Sequence, residues 1–394
     1  MVDKVPKSKC VGCKACGDIC PKNAISFPID NEGFWYPLIE YEKCVNCGLC
    51  DKVCPALNTH SSDGAVKVPK TYKTYHRNEK IRYNSTSGAL YYGLAESFIR
   101  QGGYISGCVY NDDLSGAHHE VSNTMDGLHR IMRSKYFQSD TSGIFSKIKK
   151  LLNNGEKVLF CGTGCQVSGL YGFLRKDYEN LYTVELICRG INTPLAFTSY
   201  VKELKERYHS EIKDVHFKNK SHGWTNLGTL VRFENGRTYY RNVANDPWVN
   251  GFIKGNLYIR PSCANCNYKR FPRVADITIG DFWGLKFTEE EKRLGVSVAF
   301  VNTEKGDKLF DDSGNYLYIE ERSFEEAVKG NPALTKCVTL NQKRNEFFER
   351  IHNEPYSKVV WSLLGSSAYK RILASCRRNV VDTLYPIYRK IIKK

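Results

Sequence analysis

Long apolar runs are absent from this 394-residue sequence. No stretch approaches the roughly 18 residues that a membrane-spanning helix needs, so no span is expected. An apolar h-region is missing as well: the opening MVDKVPKSKC is charged, no secretory signal is read there, and the cytoplasm is the expected compartment. Acidic residues are scarce, 42 against 58 Lys and Arg, for a formal net charge of +16. Such a balance can serve nucleic acid or an anionic surface. None of the recurrent nucleic-acid-binding motifs is present, however, and no nucleic-acid partner is expected. What the chain has in quantity is cysteine, sixteen in all. Without an export signal these read as metal ligands rather than disulfides, because a reducing compartment keeps thiols free.

The strongest motif occupies the first fifty-five residues. Cys10, Cys13, Cys16 and Cys20 followed by Pro21 spell C-x2-C-x2-C-x3-C-P, and Cys44, Cys47, Cys50 and Cys54 followed by Pro55 spell it again. Three thiolates two residues apart wrap one face of a 4Fe-4S cubane, and the fourth cysteine of each run ligates the other cluster. One cluster is therefore expected on Cys10, Cys13, Cys16 and Cys54, and a second on Cys44, Cys47, Cys50 and Cys20. Between the runs, AISFPIDNEGFWYPLIE alternates around an Asn31-Glu32-Gly33 turn and reads as a hairpin. Residues 1–57 are thus expected to form a ferredoxin-like module whose task is to pass electrons; structural zinc is the competing reading. Seven Lys and seven Asp or Glu leave the segment neutral before about −2 per cluster is counted. Residues 58–70, polar and rich in Ser, Gly and Pro, read as a linker.

From residue 71 helices alternate with short apolar strands, which argues for an α/β sheet. ALYYGLAESFIR is followed by YISGCVY, SGIFSKIKKLLNNGE by KVLF and a Gly-rich turn, and LYTVELI runs into Cys188-Arg189-Gly190. Ligands collect outside the carboxyl ends of strands in such sheets, where Cys161, Cys165 and Cys188 fall. Far downstream, PSCANC supplies Cys263 and Cys266, so three candidates compete for the two places left on a third cluster. Cys161 continues an apolar run and could be a buried hydrophobe, whereas Cys165 and Cys188 stand in polar, glycine-containing turns. Four-thiolate zinc fits the same residues. Cys108, Cys337 and Cys376 are isolated and read as packing. Ser85, Thr86, Ser87 and Gly88 precede a helix and could bind phosphate or merely cap it. Asp281 and Trp283, in ADITIGDFWGLKF, could line a cofactor or fill the core. Residues 351–394 hold nine bases against two acids and read as a basic helical tail, with peripheral membrane contact the less favoured reading.

STSGALYYGLAESFIRQGG, RSKYFQSD, VLFCGTGCQVSGL, ELICRGINTP and PSCANCNYKRFPRVADITIGDFWG, in this order, resemble the coenzyme F420 hydrogenase/dehydrogenase beta-subunit family, here fused to a two-cluster ferredoxin module. The resemblance implies a body over residues 71–350 that binds FAD and one 4Fe-4S cluster. It implies that Cys165, Cys188, Cys263 and Cys266 hold that cluster, and that Ser85 to Gly88 and Lys135 lie near the flavin. The chain departs from the family pattern at Ala89, Gly164 and Arg189. F420 is not assigned as substrate; the resemblance points instead toward surface-polysaccharide metabolism. The expected function is that of an iron-sulfur flavoprotein oxidoreductase, with an external electron donor or acceptor protein as partner and a small organic substrate. The alternatives are an electron-relay subunit feeding a partner enzyme, and a metal-stabilised binding protein.

Overall fold

The computed structural model describes residues 1–365. The expected basic tail lies outside the described residues from 366 on. The N-terminal module is built from two short helices, α1 (Ala15–Asp18) and α2 (Leu49–Lys52), and a two-stranded antiparallel hairpin, β1 (Ile25–Ser26) and β2 (Leu38–Ile39). The hairpin turns at Gly33, whose φ of +79° suits glycine.

The body is organised by one eight-stranded sheet. In chain order it receives β3 (Lys70–His76), helix α3 (Glu79–Asn84), helix α4 (Leu90–Arg100), β4 (Tyr104–Tyr110), β5 (Ala117–Ser122), α5 (Met125–Ile131), α6 (Ile144–Asn153), β6 (Val158–Thr163), α7 (Gly164–Leu174), β7 (Leu181–Leu186) and α8 (Pro194–Tyr208). A separate antiparallel sheet of β8 (Ile212–Asn219), β9 (Gly228–Phe233) and β10 (Thr238–Asn242) follows. The chain then returns with β11 (Ile277–Asp281), β12 (Ser297–Val301) and β13 (Leu317–Glu321). The strand order is β13-β3-β12-β11-β7-β6-β4-β5. β4, β6, β7 and β11 are mutually parallel, and antiparallel pairs flank them on both sides. The sheet is therefore mixed: the parallel centre follows the expected helix-strand alternation, β5 flanks it on one side as the neighbour of β4 in the chain, and on the other side β3 pairs with β12 and β13 across a long sequence separation.

Period-2 alternation sends successive β6 residues to opposite faces. Val158 and Phe160 enter the core under α6 and α7, whereas Leu159 and Cys161 enter the core under α4 and α5. The first of these cores also takes Cys13, Ala15 and Val53 from the N-terminal module. The stretch 58–70 is tied down along the body: His60 N–H donates to Ser168 Oγ at 3.0 Å, Ser62 Oγ to Asp276 Oδ1 at 2.8 Å, and Val66 N–H to the Asn302 carbonyl at 3.0 Å. Its composition signals the lack of a periodic element, not the lack of contacts. The last helix among the described residues, Tyr356–Leu363, buries Tyr356, Val359, Val360 and Leu363 in the core around α8 and the second sheet.

Candidate metal centres

The two cysteine runs repeat one backbone path. Gly12 and Asn46, each two residues after the first cysteine, have φ of +69° and +53°; Lys14 and Gly48, two positions further on, have +58° and +69°. These left-handed residues curl the chain so that three thiols face one point, and α1 or α2 starts immediately afterwards. Gly and Asn adopt this region readily, lysine does not. Lys14 is retained there by its side chain: Nζ lies 2.7 Å from Asp140 Oδ2 of the body and 4.6 Å from the Trp35 ring centroid.

Burial pushes the Cys13 thiol well up, and the nearby Cys16, Cys54 and Cys10 push it further; Cys16 likewise feels burial first, then Cys54 and Cys10. Cys10, Cys13, Cys16 and Cys54 are thus brought together. Cys20, Cys44, Cys47 and Cys50 line one cavity with Met1, Ile25, Ile39 and Val45. The fourth cysteine of each run therefore stands with the first three of the other run. Every cysteine of both groups is a free thiol. Burial keeps these thiols protonated until a metal takes their charge, and four converging thiols without disulfides in each place are residues that fit a cubane.

In the body, Cys165 is the second residue of α7, Cys188 follows β7, and Cys263 and Cys266 lie on and just after the 3-10 helix Pro261–Asn265. Cys165 does not stand in a turn as expected. Thr163 and Gln166 form a capping box that starts α7 directly after β6. Burial raises the Cys165 thiol, followed by Cys266, with Cys188 and Cys263 adding to it. Cys263 is pushed to about 12 by burial first, then by Cys188 and Cys266, and Cys266 to about 11 by burial first, then by Cys188. These four converge at the carboxyl ends of β6 and β7. Cys161 does not join them: its thiol, raised to about 12 by burial, has Cys108 and Lys135 as titratable neighbours on the other face of the sheet. Cys337, expected as packing, is instead exposed, with Sγ 3.7 Å from the Cys266 carbonyl; Cys376 lies outside the described residues. Among the described residues no three His, Cys, Asp or Glu close tightly around a single metal ion. A cubane spreads its four thiolates over a wider cage than zinc does.

Helix α7 joins the first and third groups. A Cβ at Gly169 would lie 2.9 Å from Cys13 Sγ, and one at Gly172 would lie 2.5 Å from the Val53 carbonyl, so only glycine lets the N-terminal module come this close. Four residues separate Cys165 from Gly169, a rise of about 6 Å along the axis. Tyr268 fills the space between: its hydroxyl donates to the Pro55 carbonyl at 3.1 Å, and Cys165, Cys13 and Cys266 all act on it. Buried Arg260, three residues before Cys263, reaches the Cys10 carbonyl at 2.8 Å and Cys10 Sγ at 3.7 Å. Neither residue bears any mark in the sequence.

The turn at residues 85–88 sits at the same edge of the sheet, against the start of β12. Its side chains are already engaged. Ser85 Oγ donates to the Ile81 carbonyl at 2.9 Å, Ser87 Oγ to the Val296 carbonyl at 2.7 Å, and Thr86 Oγ1 accepts from the Ser134 N–H at 3.1 Å. Gly88 is demanded by crowding, since a Cβ there would lie 2.7 Å from both Ser297 N and the Thr74 carbonyl. Lys135 Nζ donates to the carbonyls of Arg130, Ile131 and Met132, each at 2.9 Å, which makes it a C-terminal cap of α5. Lys220, unmarked in the sequence, supports the turn from below, donating to the Arg82 carbonyl at 2.7 Å and the Ser87 carbonyl at 2.5 Å. Asp281 pairs with Lys218 and accepts from Trp224 Nε1 at 3.3 Å, while Trp283 stacks on Trp224 at 4.3 Å between centroids.

Residues 9–58 match the 4Fe-4S dicluster domain, a span that contains all eight cysteines of the two runs. Residues 155–327 match the family described as the C terminus of the coenzyme F420 hydrogenase/dehydrogenase beta subunit. The chain thus carries a segment similar to the C terminus of F420 hydrogenase/dehydrogenase beta subunits, with a dicluster module in front. Among solved structures, a chain of the xenon-derivatised F420-reducing NiFe hydrogenase complex from Methanosarcina barkeri is similar, at 15% identity over 74% of this chain and 94% of that one, with a TM-score of 0.48. No curated protein matches. The chain is an iron-sulfur electron-transfer protein of the oxidoreductase kind, related to F420 hydrogenase beta subunits.

Cys165, Cys188, Cys263 and Cys266 all fall inside the beta-subunit segment; residues 85–88 and 135 lie ahead of it. The departures from the family pattern have local reasons. A Cβ at position 164 would meet Glu185 Oε2 at 2.5 Å, which only glycine avoids. Arg189 is spent on the Asn256 side chain at 2.6 Å and the Ile253 carbonyl at 2.8 Å. Ala89 takes φ +64° at the start of α4, a conformation glycine adopts with less strain.

Proposed function

We propose that the chain conducts electrons between an external carrier protein and a small organic substrate, through three clusters in series. The order is Cys20, Cys44, Cys47 and Cys50 first, then Cys10, Cys13, Cys16 and Cys54, then Cys165, Cys188, Cys263 and Cys266. The observation that carries this reading is α7, which begins at a ligand of the third group and meets Cys13 of the first group one turn later. The outermost group suits contact with a carrier, because Cys47 is exposed there while Cys10, Cys13 and Cys16 are buried. The division that goes with it is a dicluster module over 1–57, a connecting stretch over 58–70, a flavin- and cluster-binding body over 71–350 and a basic tail beyond.

FAD is proposed at the turn 85–88. What remains available there is backbone: α4 begins without a side-chain cap, so its first amides are open to a phosphate. Bound there, a flavin supplies exchange of single electrons with iron-sulfur centres and of electron pairs with an organic molecule. Lys135 and Lys220 then act by fixing the turn rather than by touching the cofactor. The setting proposed for the substrate is surface-polysaccharide metabolism, in the cytoplasm.

A second reading is favoured by the engagement of Ser85, Ser87 and Lys135 inside the chain: a relay subunit with no substrate site, which hands electrons to a partner enzyme. Iron and flavin analysis of anaerobically purified protein separates the readings. About twelve irons and one FAD are expected from three cubanes and one flavin. Full iron without flavin favours the relay, and zinc in place of iron at the body cysteines refutes both.

A further inference from the structure

Arg260 is 1% exposed and makes no ion pair with a carboxylate among the described residues. Glu32, an acid within electrostatic reach, pairs with Arg344 instead. The guanidinium is nevertheless fully positioned. Nε donates to the Cys10 carbonyl at 2.8 Å, Nη1 to Gln138 Oε1 at 2.7 Å, and Nη2 to the Trp35 carbonyl at 3.0 Å and to Cys10 Sγ at 3.7 Å. Its plane lies 4.4 Å from the Tyr36 ring centroid. Carbonyls and a ring satisfy its hydrogen bonds but leave its charge uncompensated, and a buried charge is costly without a counter-charge. The thiolate cage at Cys10 supplies one. On the other side, the Arg260 carbonyl accepts from the Cys263 N–H at 3.0 Å, and the cation favours the Cys263 thiolate. One cation thus stands between a ligand of the first group and a ligand of the third.

We propose that Arg260 is the counter-ion of the first cluster and sets its reduction potential. This rests on the reading that Cys10, Cys13, Cys16 and Cys54 hold a 4Fe-4S cluster. Reduction adds one negative charge to an already anionic cage, so a fixed cation and an N–H donor to Sγ favour the reduced form and raise the potential. Burial acts the opposite way on the same cluster, because a dry site disfavours added charge. Asp51 stands beside Cys50 at the outer cluster, with no arginine donor to its sulfurs among the described residues. Arg260 therefore draws electrons inward from the outer cluster to the first.

The test is a redox titration followed by electron paramagnetic resonance on the full-length, iron-loaded protein. In Arg260→Gln, one of the three one-electron midpoints is expected to fall so that the reduced-to-oxidised ratio at a fixed potential drops about tenfold, which is about 59 mV. Arg260→Lys, which keeps the charge, should sit nearer to wild type. A merely structural role would make Lys and Gln equivalent or change iron content alone. Should neither variant fold, Gln138→Glu sets a carboxylate against Nη1 and is expected to shift the same midpoint in the same direction. Unchanged midpoints in fully loaded Arg260→Gln, or in Gln138→Glu, overturn the proposal. Wild type short of about four irons at Cys10, Cys13, Cys16 and Cys54 overturns the cluster reading and the proposal with it.

Discussion

Gly169→Ala puts the link between the first and third clusters to a direct test. The added Cβ would lie 2.9 Å from Cys13 Sγ and 3.2 Å from Cys13 Cβ. Comfortable contact begins at about 3.5 Å, so the cage has to withdraw from α7 by about 0.6 Å. Two terms oppose each other in stability. Replacing a mid-helix glycine by alanine favours the helix by about 1 kcal/mol, and overpacking a filled core costs about 1–3 kcal/mol. The net loss is about 0–2 kcal/mol, small enough for the variant to fold. The consequence for the clusters is larger, because an iron-ligating sulfur cannot be compressed in the way a flexible side chain can. Chemical denaturation should therefore show a modest change. Iron at the first site, or the magnetic coupling between the reduced first and third clusters, should fall clearly. Gly116→Ala is the control, since a Cβ there meets only the Asn111 side chain, at 3.3 Å. A Gly169→Ala protein with full iron and unchanged coupling would refute the close approach through α7.

Two further predictions concern the body. Cys165→Ser is expected to lose about four irons and Cys161→Ser none, read by iron analysis and visible absorption; the reverse pattern would move the third cluster to the other face of the sheet. His119, buried beside the Cys161 carbonyl and Ser139 Oγ, is lowered by burial from 6.5 to about 4. The unfolded chain then binds the extra proton between those values, so this contribution is complete above about pH 6.5 and is lost as pH falls toward about 4, at about 3 kcal/mol. Asp246, raised by burial from 3.8 to about 6, works in the opposite sense over a similar interval. The measurement is therefore the difference between wild type and His119→Gln in denaturation at pH 7.5 and pH 4.5, and an equal pH dependence in both would refute it.

The N-terminal clusters were legible because their signal is local: each run fixes its own curl, and the shared ligand follows from the spacing. The third group is drawn from distant segments of the chain, and only the rule that ligands gather at strand ends brought them to one place. Residue chemistry left Cys161 and Cys165 in competition, since both follow the same apolar run. They part in the structure because β6 extends through Thr163, which turns Cys161 to the far face and leaves Cys165 to α7. The pairing of β3 with β12 and β13 escaped reading because strand pairing between distant segments leaves no local periodic trace. Lys135 entered only through the resemblance, as a residue near a flavin, and not as a helix cap, because its bonds are made to carbonyls that only folding assembles. Arg260 and Tyr268 escaped for the same reason: a lone arginine or tyrosine acquires meaning from what lies across the interface.

The anchoring of residues 58–70, together with the core that Cys13 and Val53 share with α7, has a bearing on how the chain meets its redox partners. A ferredoxin on a loose tether can act as a shuttle, loading at one place and discharging at another. Here Ser62, Val66 and His60 are fastened along the body, and swinging the module away would tear open a common interior. With the proposed order of clusters, the chain is a fixed conductor, and whatever supplies or accepts its electrons has to travel to the exposed rim at Cys47.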